Sequence, residues 1–130
     1  MTSPERITHD PDWYEPYRIS LAVRANGLIF VSGQAGIDES GETVPGGFEA
    51  QARQVFTNLA TVLGEAGATL ADVAKVTIMV TDMSHLDMII KLRGEYFTEP
   101  YPADTLLQVA GLARPDWVIE IDAVAVARAG

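Results

Sequence analysis

Glu120 lies in the middle of the run Trp117-Val118-Ile119-Glu120-Ile121-Asp122-Ala123-Val124-Ala125. A carboxylate inside an apolar strand is costly to bury unless it is paired or used. Strand alternation puts Val118, Glu120 and Asp122 on one face and Ile119, Ile121 and Ala123 on the other. The residues alone leave two readings open. Either the acidic face is wet, or Glu120 points into a pocket, where a carboxylate within hydrogen-bond reach of a water can take its proton. Before it come Tyr101-Pro102-Ala103-Asp104-Thr105 and the apolar run at 106–112. A Pro/Gly-rich turn separates the two extended segments.

Composition removes several alternatives. The chain has no cysteine, so disulfides, thiolate chemistry and cysteine-bound metal are excluded. His9 and His85 are its two histidines, and neither sits in a ligand-spaced motif, so no metal is expected. His9 is expected in a loop and His85 in solvent. Asp and Glu outnumber Lys and Arg eighteen to nine, a net charge of −9. Such a chain repels nucleic acid on average and shows no basic cluster to offset it. No run approaches the ~20 apolar residues of a membrane span. Residues 1–6 lack the apolar core of a signal peptide, and a cytoplasmic location is expected. A single domain over 1–130, with one core and no internal repeat, suits the length of 130 residues.

The elements that must position Glu120 follow from periodicity and turn chemistry. Residues 1–16, with Pro4, Pro11 and Pro16, read as an irregular lead-in. Residues 17–25 alternate as a strand with Ile19, Leu21 and Val23 on one side. Asn26-Gly27 separates them from the strand at 28–31, which is a hairpin signal because a type I′ turn needs positive φ at both positions. Ser32-Gly33-Gln34-Ala35-Gly36 ends that strand, and 38–47 is a loop. Over 48–66, Phe48, Ala52, Val55, Phe56, Leu59, Val62, Leu63 and Ala66 recur at helical spacing, and Gly67 supplies the stop. Residues 73–80 read as an interior strand. Ser84-x-x-Asp87 reads as a capping-box variant opening a second helix over 84–97. Strands at 104–110 and 117–127 complete a β-β-α-β-α-β-β order, an α+β fold with both helices on one face of the sheet. Val76, Ile78 and Val80 are not all expected under helices, and an uncovered apolar face predicts oligomerisation.

Taken together, Tyr17, Val31-Ser32-Gly33-Gln34, Gln51-Ala52-Arg53-Gln54 with Asn58-Leu59, Gly67, Val76-Thr77, Tyr96-Phe97, Pro102-Ala103 and Ile119-Glu120-Ile121 form a co-linear set. The set resembles the Rid/YjgF family of reactive-intermediate deaminases, over nearly the whole chain. The resemblance implies a chorismate-mutase-like fold with a mixed sheet. It implies a homotrimer with helices outside a central barrel and pockets in the clefts between subunits. In the best-understood members it implies hydrolysis of enamines and imines to a 2-keto acid and ammonia, with no cofactor. There an arginine fixes the substrate carboxylate and a glutamate positions or activates water. A tyrosine and the serine of Ser-Gly-Gln line the cleft. Glu120, Tyr17 and Ser32 fall on the glutamate, tyrosine and serine.

The arginine is absent. Pro102-Ala103-Asp104 stands where the family reads Pro-Ala-Arg. An arginine holds a carboxylate with a planar fork, and an aspartate in its place repels it. Asp104 and Glu120 are expected to face one small cleft, with one pKa raised if they approach closely. The pocket asparagine that many members carry on the second helix is Ile89 or Ile90 here. Arg114, in Leu112-Ala113-Arg114-Pro115, either brings positive charge from a new direction or is an exposed turn arginine. The reading is a cofactor-independent hydrolase or deaminase of a small imine, enamine or related amine-containing metabolite other than the standard 2-iminoacids. Glu120 is its base, Tyr17 and Ser32 are hydrogen-bonding groups, and Asp104, Thr105, Gly33 and Arg114 bind substrate. Structural alternatives are a Ser32 hydroxyl bonding local backbone and a Tyr17 ring at an interface. The alternative function is a non-catalytic ligand-binding trimer. Ribonuclease activity, attached to some relatives, is disfavoured by the charge.

Overall fold

The computed structural model describes residues 3–128. In chain order they form β1 (Glu5–Ile7), β2 (Ala22–Ala25), β3 (Leu28–Ala35), α1 (Gly47–Glu65), β4 (Val73–Val80), α2 (Leu86–Tyr96), β5 (Ala103–Gln108) and β6 (Ile119–Val126). One six-stranded sheet runs β1-β2-β3-β6-β4-β5. Among the described residues only β4 and β5 pair in parallel, and α2 supplies the crossover that a parallel pair needs. The result is a mixed sheet with two helices on one face. Among the described residues no helix is long and apolar enough to cross a membrane.

Local chemistry accounts for much of this. Asn26 and Gly27 take φ of 52° and 78° and close the β2–β3 hairpin where Ala25 faces Leu28. The stripe on α1 is the core: Ala52, Val55, Leu59, Val62 and Leu63 are each 0% exposed. Burying one such Leu or Val stabilises by about 1.5–3 kcal/mol. Gly67 (φ 78°) ends the helix, and the Ala68 N–H reaches back to the Leu63 carbonyl at 2.8 Å.

Five expectations need correction. Val76, Ile78 and Val80 are fully buried on the helix-covered face, opposite Ala123, Ile121 and Ile119. The open face carries other residues, among them Phe30, Leu107 and Val126, 42%, 46% and 51% exposed. The lead-in is not irregular: β1 pairs with β2, and Trp13 and Tyr14 are buried. The expected strand at 17–25 shortens to Ala22–Ala25, because Tyr17 closes a 3-10 turn (Glu15–Tyr17) that ends on left-handed Arg18. Ahead of α2, the capping residue is Asp82, whose side chain accepts from the Ser84 N–H at 2.9 Å. His85 is not free in solvent but stacks on Phe48, with ring centroids 4.0 Å apart.

Candidate active site

The β3–β6 register shifts between Val31 and Gln34, so Ser32 and Gly33 leave the regular ladder beside Glu120. A Cβ on Gly33 would stand 2.0 Å from Glu120 Oε2. Only glycine lets the carboxylate lie against this backbone. The N-terminal segment then folds across. The Trp13 indole N–H donates to Gln34 Oε1 at 3.0 Å, and Gln34 Nε2 donates to the Ser32 carbonyl at 3.1 Å. These bonds seat Tyr14 and Tyr17 over the site. The Tyr14 hydroxyl donates to the Gly33 carbonyl, and the two tyrosine rings meet edge to face at 6.2 Å. The outcome is a cleft of about 290 Å³ lined by Tyr14, Tyr17, Ser32, Gly33, Trp117 and Glu120.

Burial pushes the Glu120 carboxyl above the usual carboxylate range, and the neighbouring Asp122 charge adds to the rise. Such a group is a stronger base once ionised. Burial and the Glu120 charge push the Tyr14 phenol up, so it stays protonated as a donor. Arg114 Nη2 donates to the Tyr17 hydroxyl at 2.7 Å, and this bond raises the Arg114 pKa. Among the described residues no three His, Asp or Glu side chains are grouped to hold a metal ion. The arrangement offers a base, hydroxyls and a cation to a small molecule and a water.

Glu120, Tyr17, Ser32 and Gly33 therefore come together, with Arg114 bound to Tyr17. The Ser32 hydroxyl is engaged locally, donating to the Ser20 carbonyl at 2.6 Å. Asp104 and Thr105 do not join them within the chain. Thr105 faces Thr77 on the open face and lies 3.2 Å from Lys75 Nζ. Asp104 stands opposite buried Val76, and cross-strand neighbours share a face. It therefore points to the helix side, whereas Glu120 points to the open side. Within one chain this register sets the two acids on opposite faces of the sheet, so a cleft that both faced would lie between subunits. Asp104 is also not a free charge. Arg93 of α2 grips it through Nε to Oδ2 and Nη2 to Oδ1, both 2.9 Å.

Sequence reading missed Tyr14, Trp117 and Arg93. The adjacent aromatics Trp13-Tyr14, in a segment otherwise read as irregular, were a burial signal for the first. Nothing local marks Arg93 as the partner of a residue on β5.

The family model described as Endoribonuclease L-PSP matches residues 8–127. A RutC family protein of Pyrococcus abyssi is 40% identical over 111 residues, which cover 85% of this chain and 85% of that protein. A Mus musculus protein named 2-iminobutanoate/2-iminopropanoate deaminase is 38% identical over 120 residues, covering 92% and 87%. The crystal structure of YyfA from Yersinia pestis, a Rid family protein of unknown function, shares the fold with a TM-score of 0.87 at 29% identity, covering 95% of this chain and 99% of that one. With the two-helix mixed sheet and the Ser-Gly-Gln segment lying against Glu120, these likenesses show that the chain belongs to the Rid/YjgF family.

Proposed function

We propose that this chain is a cofactor-independent hydrolase that deaminates a small imine or enamine at the Glu120 cleft, working as a homotrimer. The observation that carries this is the Glu120 carboxyl: partly buried, pushed above the ordinary carboxylate range by that burial, and seated against Gly33. In the proposed reaction Glu120 takes a proton from water as the water oxygen adds to the imine carbon. The nitrogen receives that proton, giving the carbinolamine. Glu120 then takes the proton of the carbinolamine hydroxyl and passes it to the nitrogen as the C–N bond breaks, so that ammonia leaves and a carbonyl forms. An enamine enters the same route once a proton on its carbon has made it an imine. A carboxyl of raised pKa suits a group that must both take and return a proton near neutrality. Tyr14 and Tyr17 orient the reactants.

The imine-deaminase name of the mouse relative supports the reaction class. Its substrate is not carried over residue by residue, because position 104 holds an aspartate. The trimer is supported by the exposed apolar groups of the open sheet face, Phe30, Leu107 and Val126, which a monomer leaves in water. The charge of −9 argues against RNA as a substrate despite the family model's description.

The test generates imines in place with an amine or amino-acid oxidase and follows ammonia release. The panel includes anionic, neutral and cationic members. Acceleration over background is expected for at least one, with Glu120→Gln lowering it about 100-fold or more. No acceleration across the panel sinks the reading. Binding without turnover would favour the ligand-binding alternative.

A further inference from the structure

A second cleft, of about 670 Å³, lies between α2 and β5 and includes Ile90, Arg93, Phe97, Tyr101, Asp104 and Leu106. Ile90 and Tyr101 are 53% and 59% exposed. Set into these apolar walls is one ion pair, Arg93–Asp104. A guanidinium has five N–H donors in a rigid fork. Asp104 takes the side-on edge, Nε with one hydrogen of Nη2. The end-on edge, Nη1 with the other hydrogen of Nη2, meets no acceptor among the described residues. Asp104 also holds the plane of the guanidinium, so the free edge is pre-oriented and little rotamer freedom is lost when a ligand takes it. The Asp104 charge leaves the pair neutral as a whole. That tolerates a monoanion and disfavours a dianion such as phosphate.

We propose that the α2–β5 cleft binds a small monocarboxylate with an apolar body, held by the free edge of Arg93. The proposal rests on the imine-hydrolase reading for what that ligand does. Arg93 supplies the anion contact that an aspartate at position 104 cannot make. Arg93 and Glu120 serve opposite faces of one chain. A single molecule therefore meets both only between two copies, with Arg93 from one and Glu120 from the other.

The experiment titrates 2-oxobutanoate into the wild-type protein by calorimetry, with 2-oxobutanamide as the uncharged control. Binding of the acid and not the amide is expected. Arg93→Gln should weaken it at least about tenfold, and Arg93→Lys, which keeps the charge but loses the fork, by a similar factor. Melting curves and light scattering on both variants separate lost binding from lost folding or assembly. Failure of the wild type to bind at millimolar concentration overturns the proposal. So does binding that persists in both Arg93 variants but vanishes in Arg114→Gln. Arg93-dependent binding without imine turnover would uphold this site and sink the function. Turnover of a carboxylated imine with KM unchanged in Arg93→Lys would do the reverse.

Discussion

Replacing Gly33 by alanine isolates the position of Glu120 from the rest of the fold. Gly33 has no positive φ, so the backbone accepts alanine. The new Cβ would stand 2.0 Å from Glu120 Oε2, 2.8 Å from Cδ and 3.0 Å from Cγ. Ordinary contact is about 3.5–4.0 Å, so the carboxylate must retreat by roughly 1.5 Å or more. It is the far end of a flexible side chain, which puts the stability loss at the lower end of the ~1–3 kcal/mol typical of overpacking. A melting shift of a few degrees follows, at about 4 °C per kcal/mol for a chain of this size. Catalysis is more sensitive, because a misplacement of ~1 Å costs about 100-fold. Gly33→Ala should therefore fold, assemble and melt nearly as wild type while losing about two orders of magnitude in imine hydrolysis. Adding Glu120→Gln should cost little more, since groups acting as a unit are not additive. A Gly33→Ala protein with activity within a few-fold of wild type would refute the placement of the base.

Glu120 carries a raised pKa, so the folded state binds its proton more tightly than the unfolded chain does. Stability from this group is present below the unfolded pKa and lost as pH rises through the folded one. At neutral pH Glu120→Gln should thus melt above wild type, while the acid limb of the wild-type rate profile lies above the ordinary carboxylate range. His9 is raised chiefly by its hydrogen bond to Glu65, with Nδ1 2.6 Å from the carboxylate. Its stabilisation should be largest below the ordinary histidine value of 6.5 and fade as pH rises past the raised one; a wild-type minus His9→Ala difference in Tm that is flat with pH would contradict this. Asp104→Arg should lower stability by about 1 kcal/mol, because it removes the bidentate partner of Arg93 and sets two guanidiniums together on a partly exposed site; an unchanged denaturation midpoint would show that the pair contributes nothing.

What the sequence determined about this protein lies in its short-range patterns. The helical spacing from Phe48 to Leu63 and the stop at Gly67 specify α1, since a 3.6-residue period and a left-handed glycine are local properties. Asn26-Gly27 specifies the hairpin for the same reason. The alternation around Glu120 places it on the face opposite Ile119 and Ile121, and the structure keeps it there. Tertiary structure decided who meets whom. Gly33 lies beside Glu120 because of a register shift between β3 and β6, and no periodicity encodes a shift between strands so far apart in the chain. Tyr14 reaches the site because Trp13 bonds to Gln34, 21 residues on. Sequence alternation separates Val76, Ile78 and Val80 from Thr77 and Met79, but it does not say which set the helices cover. Asp104 took the helix side because it stands opposite Val76 in the parallel pair, and only there does Arg93 turn an apparent charge reversal into a held ion pair. Local propensity acts within a turn or a few residues, while register and packing act between segments that become neighbours only on folding.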